Sequence, residues 1–348
     1  MSAEVILRDL GERRILREII PKYVSAAGDD CANLGRLKGH IVVTTDPAPP
    51  PAARIIGGDH DLYWVGWLLV TINASDIAAS GAVPHALVAA LEMPPTLPIR
   101  DLHRLLEGIR DSCAANGLEY VGGNLREANS VAGIGTAIGV SERSPLSRRG
   151  AKPGDRLLVI GEGGRFWADA ERIRLGLTVD RTSSPIFAPV SQAKIVHRLH
   201  SEGLLRCAMD TSDGLAPTLV ELAGVNQLGL CIWLDTMATS HGGLCERPER
   251  FWMGWGDWTV VAAVEPDRIE AILTLLNRLG TPATVIGEFV ECRKGVFLSS
   301  GSSEVPLERL ESERFAVDSW FDKGIDEYRR LLNTFPLPSN QPKSSAFS

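Results

Sequence analysis

Aspartates recur in this chain where a carboxylate is costly unless something positive faces it. The stretch "MDTSDGLAPTLVELAG" (209 to 224) sets Asp210 and Asp213 three apart, with Ser212 between them, directly before a helical run bearing Leu215, Leu219 and Leu222. Ser212 or Asp213 would serve as an N-cap. Equally, a helix N-terminus with free N–H groups beside acidic side chains suits a phosphate bridged by metal ions. "GDD" (28 to 30) places Asp29 beside Asp30, either as a solvated turn or with one of the two facing a cation. Asp46 closes "HIVVTTD", and Asp76 follows Ile72 by four residues and Leu69 by seven. That puts Asp76 on an apolar helical stripe, where burial requires a partner or a cation. Together Asp30, Asp46, Asp76, Asp210 and Asp213 offer oxygen-only ligands, which select Mg2+, and Mg2+ in turn points to a nucleotide polyphosphate.

The elements that must hold these acids follow from hydrophobic spacing. Ile6, Leu7, Leu10, Ile15, Leu16 and Ile19 predict a helix over residues 1–25, ended by Pro21. Residues 40–46 read as a strand, 61–81 as a helix with Val65, Leu68, Leu69 and Ile72 on its apolar face, 86–93 as a strand and 99–116 as an amphipathic helix. "LEYVGG" and "VAGIGTAIGV" add two strands. The order β, α, β, α, β, β predicts an α+β unit closing near residue 145. "RRGAKPGDRLLVIG" (148 to 161) then opens a second domain, with a helix near 188–203, strands near 229–234, 258–264 and 283–290, and a helix over 266–279. The expected division is 1–145, 146–325 and a Pro/Ser-rich tail, 326–348, expected to be disordered.

Bulk properties narrow the partners. A chain of 348 residues is long for one core, which fits two domains. Its net charge of −7 gives no broad electrostatic footprint for nucleic acid. The six cysteines show no zinc spacing and read as buried thiols of a reducing compartment. Neither a secretory apolar region nor a run of about 18 apolar residues is present, so a cytoplasmic protein without a membrane partner is expected. Small molecules and other proteins are left.

Other features carry less. The run "RFWMGWGDW" (250 to 258) concentrates Phe251, Trp252, Trp255 and Trp258, as core packing, an oligomer contact or a stacking wall for a flat substrate. "GEGGRFW" (161 to 167) is a glycine-rich turn without the Lys-Ser/Thr of a P-loop. His197 and His200 lack an accompanying acid and read as a packed or solvated helix face.

The motifs "GDDCANL", "VVTTD", "INASDIAASGAVP", "YVGGN", "RRGAKPGDRLLVIG", "MDTSDGLAPTLVEL" and "LGTPATVIGEF" resemble, in order and spacing, those of the thiamine-monophosphate kinases. These belong to the superfamily of aminoimidazole ribonucleotide (AIR) synthetase, selenophosphate synthetase and the hydrogenase-maturation dehydratases. The resemblance spans roughly residues 10–300. It implies an α+β, AIR-synthetase-like N-terminal domain whose mixed sheet pairs across a homodimer, followed by a C-terminal α/β layer domain. It also implies ATP and Mg2+ as cofactors. Carried over position by position, the metal ligands would be Asp30, Thr44, Thr45, Asp46, Asp76, Asp210 and Asp213, with Asp46, Asp76 and Asp210 catalytic. Nucleotide contacts would come from Gly123, Asn124, Arg148 and Ser212.

Departures from the family pattern concern mainly the acceptor. Asn124 replaces a metal-binding aspartate after "GG". Ala53 stands where the family has a substrate-contacting histidine, and Gly256 where it has a glutamate, beside Asp257 and Trp258. These four positions are the candidate substrate residues. The expectation is an ATP- and Mg2+-dependent phosphotransferase acting on a different small molecule. An enzyme activating an amide or carboxylate oxygen for cyclisation, dehydration or ligation, and a non-catalytic nucleotide-binding protein, are the alternatives.

Overall fold

The computed structural model describes residues 5–25, 31–237, 243–310 and 324–339, which form two compact units. Residues 1–145 and 180–197 make the first and the remainder the second. The first unit therefore takes back a segment from beyond the expected boundary at 145. Trp67 Nε1 and Thr71 Oγ1 both donate to Pro189 O, at 2.7 and 2.8 Å, and Ser191 N donates to Asn116 Oδ1 at 2.8 Å.

In chain order the first unit contains α1 (Leu7–Leu10), α2 (Glu12–Glu18), β1 (His40–Pro47), α3 (Ala52–Ile55), α4 (Tyr63–Ala79), β2 (Val83–Met93), α5 (Ile99–Asn116), β3 (Glu119–Glu127) and β4 (Ala132–Ser141). The single N-terminal helix expected over 1–25 is broken. Gly11, at φ +73°, separates α1 from α2 with backbone that helical L-residues avoid. The strands lie in the order β1-β4-β2-β3, with β2 and β3 parallel and the other pairs antiparallel.

One face of this sheet is packed and the other is open. Along β4 the residues Gly133, Gly135, Ala137 and Gly139 alternate inward, and the glycines let α4 approach closely. Leu69, Asn73 and Ile77, one per helical turn, lie where Cβ atoms on Gly133, Gly135 and Gly139 would stand. Helix α5 stacks beyond, burying Leu102, Leu105, Leu106 and Ile109. The opposite face exposes Ile41, Val43, Val83 and Ile134, which are 43 to 62% accessible.

The second unit contains β5 (Arg156–Ile160), α6 (Arg165–Arg174), α7 (Ala193–Ser201, which begins in the returning segment), β6 (Cys207–Asp210), α8 (Leu215–Asn226) and β7 (Gly229–Trp233). It continues with α9 (Arg250–Met253), β8 (Val260–Val264), α10 (Ile269–Arg278), β9 (Ala283–Val290), β10 (Gly295–Ser300), β11 (Ser303–Pro306) and α12 (Ile325–Asn333). Its seven-stranded sheet has the order β11-β10-β7-β9-β5-β8-β6, antiparallel except for β10 with β7. Both sheets are mixed, in keeping with the expected fold class. Strands β10 and β11 and helix α6 were not anticipated.

Within the tail expected to be disordered, residues 326–339 are ordered, because α12 packs its apolar face. Tyr328, Leu332 and Phe335 are 0, 1 and 3% exposed, and Tyr328 stacks on Trp167 at 5.3 Å between ring centroids. Arg250 Nε donates to Phe335 O at 2.9 Å and Arg247 Nη1 to Pro338 O at 3.0 Å, fixing the chain after the helix. Residues 340–348 lie outside those described. Of the cysteines read as buried, only Cys113 and Cys207 are, whereas Cys31 and Cys292 are exposed. Among the described residues no helix is long and apolar enough to cross a membrane.

Candidate functional site

In the first unit the close approach of α4 to β4 brings its polar residues against β1. Alternation along β1 turns Val42, Thr44 and Asp46 to the helix side and Ile41, Val43 and Thr45 to the open side. Thr44 Oγ1 donates a short hydrogen bond to Asp76 Oδ2. Asn73, fully buried one turn before Asp76, accepts from Asp46 N at 3.2 Å and donates to Leu69 O at 2.8 Å, with Asp46 O at 3.5 Å from the same amide nitrogen. The helix-facing side of β1 thus carries the Thr44 hydroxyl bonded to the Asp76 carboxylate and, two residues on, the carboxylate of Asp46, whose backbone is tied to Asn73. These are hard oxygen donors of the kind Mg2+ takes.

Not every predicted ligand joins them. Thr45 points to the open face, where its hydroxyl donates to Gly135 O at 2.9 Å and accepts from Thr136 at 3.0 Å. Gly123 shares a cross-sheet row with Asp46 through Gly135 and Ala89, three strands away or about 14 Å. A Cβ on Gly123 would fall 1.8 Å from Ala89 O, so this residue must be glycine for β3 to pair there. Asn124 follows it on the exposed edge strand. Asp30 lies outside the described residues.

In the second unit Asp210 ends β6, is 5% exposed and pairs with Val260. Gly214, at φ +108°, turns the chain into α8, leaving Ser212 half-buried and Asp213 exposed at the helix entrance. Thr218 Oγ1 ties the helix back to this loop, at 3.0 Å from Asp210 O and 2.9 Å from Gly214 O. Arg148 sits in the turn before β5 and faces Glu221 of α8 at 3.5 Å. Among the described residues no three His, Cys, Asp or Glu side chains form a ready metal cluster, and the acids stand instead as one pair in each unit.

The four expected substrate positions each have a distinct setting. Ala53 is fully buried in α3. Gly256, at φ +112°, lies against Phe166, whose ring would be 2.4 Å from an added Cβ. Trp258 is 8% exposed. Asp257 caps α6, accepting from Gly164 N and Phe166 N at 2.7 Å each. Although the residue keeps some exposed surface, its carboxyl is enclosed, and burial pushes it up to about 7 against the lowering effect of those two bonds; Glu162 and Asp169 add to the rise. Trp252 is buried with its ring against Gly163 and Gly164, and the half-buried Trp255 packs with Phe166, Trp167 and Tyr328. Asn73 was missed from the sequence.

Two family models match the chain: AIR synthase related protein, N-terminal domain, over residues 28–141, and the corresponding C-terminal domain over 152–299. The thiamine-monophosphate kinase of Halobacterium salinarum is 31% identical over 317 residues, covering 89% of this chain and 99% of its own. The chain belongs to the AIR synthase related protein family. Within that family it is a thiamine-monophosphate kinase-like member. The fold agrees. A thiamine-monophosphate kinase structure from Stenotrophomonas maltophilia superposes with a TM-score of 0.66 at 23% identity, covering 75% of this chain and 85% of that one. A structure described as AaThiL complexed with AMPPCP and TMP gives 0.63 at 22%, covering 85 and 96%.

Proposed function

We propose that this AIR synthase related protein is an ATP- and Mg2+-dependent phosphotransferase whose acceptor is a small molecule other than thiamine monophosphate. The observation that carries this is the pair of bonds tying β1 to α4, from Thr44 to Asp76 and from the backbone of Asp46 to Asn73. Asp46 and Asp76 in the first unit, and Asp210 and Asp213 in the second, are the residues that would hold Mg2+. Ser212 and Arg148 contact the nucleotide. Bound Mg2+ would supply charge neutralisation for phosphoryl transfer, and these residues would contribute positioning. Relatives named as thiamine-monophosphate kinases, and one structure holding an ATP analogue, support the nucleotide. The altered acceptor is supported by Ala53, which is fully buried, and by Gly256, beside which no side chain fits.

Calorimetric titration with ATP, with and without Mg2+, tests the first part. Mg2+-dependent binding that Asp76→Ala abolishes is expected, and binding indifferent to Mg2+ overturns it. Incubation with thiamine monophosphate tests the second, since transfer to it removes the claim of a different acceptor. The working form is a homodimer that covers Ile41, Val43, Val83 and Ile134 with a second copy. Light scattering should give a dimer mass that Val43→Glu reduces to a monomer.

A further inference from the structure

Helix α8 joins two features of the second unit. Its N-terminus follows the acidic loop of Asp210, Ser212 and Asp213, and its last residue, Asn226, reaches the turn carrying Arg148. All the amide's polar atoms are engaged. Asn226 Nδ2 donates to Arg148 O at 2.8 Å and to Leu222 O at 2.9 Å, while Oδ1 accepts from Gly150 N at 2.9 Å and Ala151 N at 3.1 Å. Arg149 Nη1 adds a bond to Val225 O at 2.8 Å, and Ala208 N bonds Ser147 O at 3.0 Å. Gly150 adopts φ +124°, a conformation that directs its N–H to Asn226 and that other residues reach only under strain.

The main chain of Arg148 is therefore held while its side chain is not. That side chain is 55% exposed, and its contact with Glu221, at 3.5 Å, is a loose ion pair in water. A long cationic side chain on a fixed root, parked beside a weak partner, can exchange that partner for a phosphate at little cost. The same four-bond amide could also be no more than a brace for the helix end. The two roles differ in what they do to Arg148.

We propose that Asn226 is a positioning residue for Arg148, setting the root from which the guanidinium leaves Glu221 to meet a nucleotide phosphate. This rests on the reading that Arg148 contacts ATP. The test is a double-mutant cycle on the full chain, reading ATP affinity in Mg2+ by calorimetry. Arg148→Ala should weaken binding about tenfold, the scale of one charge-assisted contact. Asn226→Ala should weaken it severalfold in the parent, yet change nothing further once Arg148 is alanine. Equal losses in both backgrounds would mean a brace only and overturn the proposal. So would wild-type affinity in a folded Asn226→Ala variant. If Arg148→Ala itself leaves affinity unchanged, the nucleotide reading of Arg148 fails, and the proposal with it, in a separately visible way. Should Asn226→Ala not fold, Asn226→Ser takes its place, with the same coupling expected.

Discussion

Thr44 donates its hydroxyl proton to the carboxylate of Asp76, joining strand β1 to helix α4 across 32 residues of sequence. The bond shows how a charged group is tolerated on a largely apolar helix, since one oxygen has a donor and the residue stays half-buried. Thr44→Val keeps the shape and removes the donor. It should cost about 1 kcal/mol in urea unfolding and weaken Mg2+-dependent ATP binding. If both quantities stay at wild-type values, the bond contributes nothing to the site.

Gly135→Ala would place a methyl carbon 2.4 Å from Asn73 Nδ2. Overpacking of this kind costs about 1–3 kcal/mol. In an Asn73→Ala background the obstructing amide is gone, so the same substitution should cost less. Additive costs in the two backgrounds would show that Asn73 is not what makes glycine necessary there.

Asp257 carries a pH dependence. Its carboxyl rises from an ordinary 3.8 to about 7 on folding, so between those values the folded chain binds a proton that the unfolded chain releases. The contribution is full below about pH 4 and is lost as pH rises through 7. Thermal unfolding measured from pH 4.5 to 8 should show a falling Tm from this residue. Asp257→Asn, which does not titrate, should flatten that part of the curve. A slope unchanged in the variant would assign the effect elsewhere.

Tyr328 closes an aromatic cluster with Trp167 and Trp255. Tyr328→Ala should destabilise the second unit by about 3–5 kcal/mol, as other large aromatic truncations do. Tryptophan fluorescence should also shift to the red as water reaches the rings. A variant with wild-type stability and emission would make α12 a passive attachment.

The acids of the candidate site were readable because a carboxylate on an apolar stripe, or just before a helix, stands out against its neighbours. Asp76 was found in the first way and Asp210 and Asp213 in the second, while Asp46 drew notice as the end of a strand. Asn73 passed unnoticed because an amide among alanine, serine and threonine raises no such conflict. Helix α6 was hidden for a different reason: Asp257, the group that caps it, lies more than ninety residues further along the chain. The tail helix did carry a local signal, with Tyr328 and Leu332 four apart, but the composition of the last dozen residues outweighed it. Bonds between distant positions, such as those from Trp67 and Thr71 to Pro189, leave no periodic trace at all.

That last pair also sets an order of events during synthesis. The first unit needs residues up to 197, so it cannot be completed when residue 145 leaves the ribosome. Roughly fifty more residues must be made, a delay of a few seconds at ~5–20 residues per second. Throughout it, Trp67, Thr71 and Asn116 wait without the segment that seals them, while β5 and α6 of the second unit are already emerging. The nascent chain must carry the two units half-built at once.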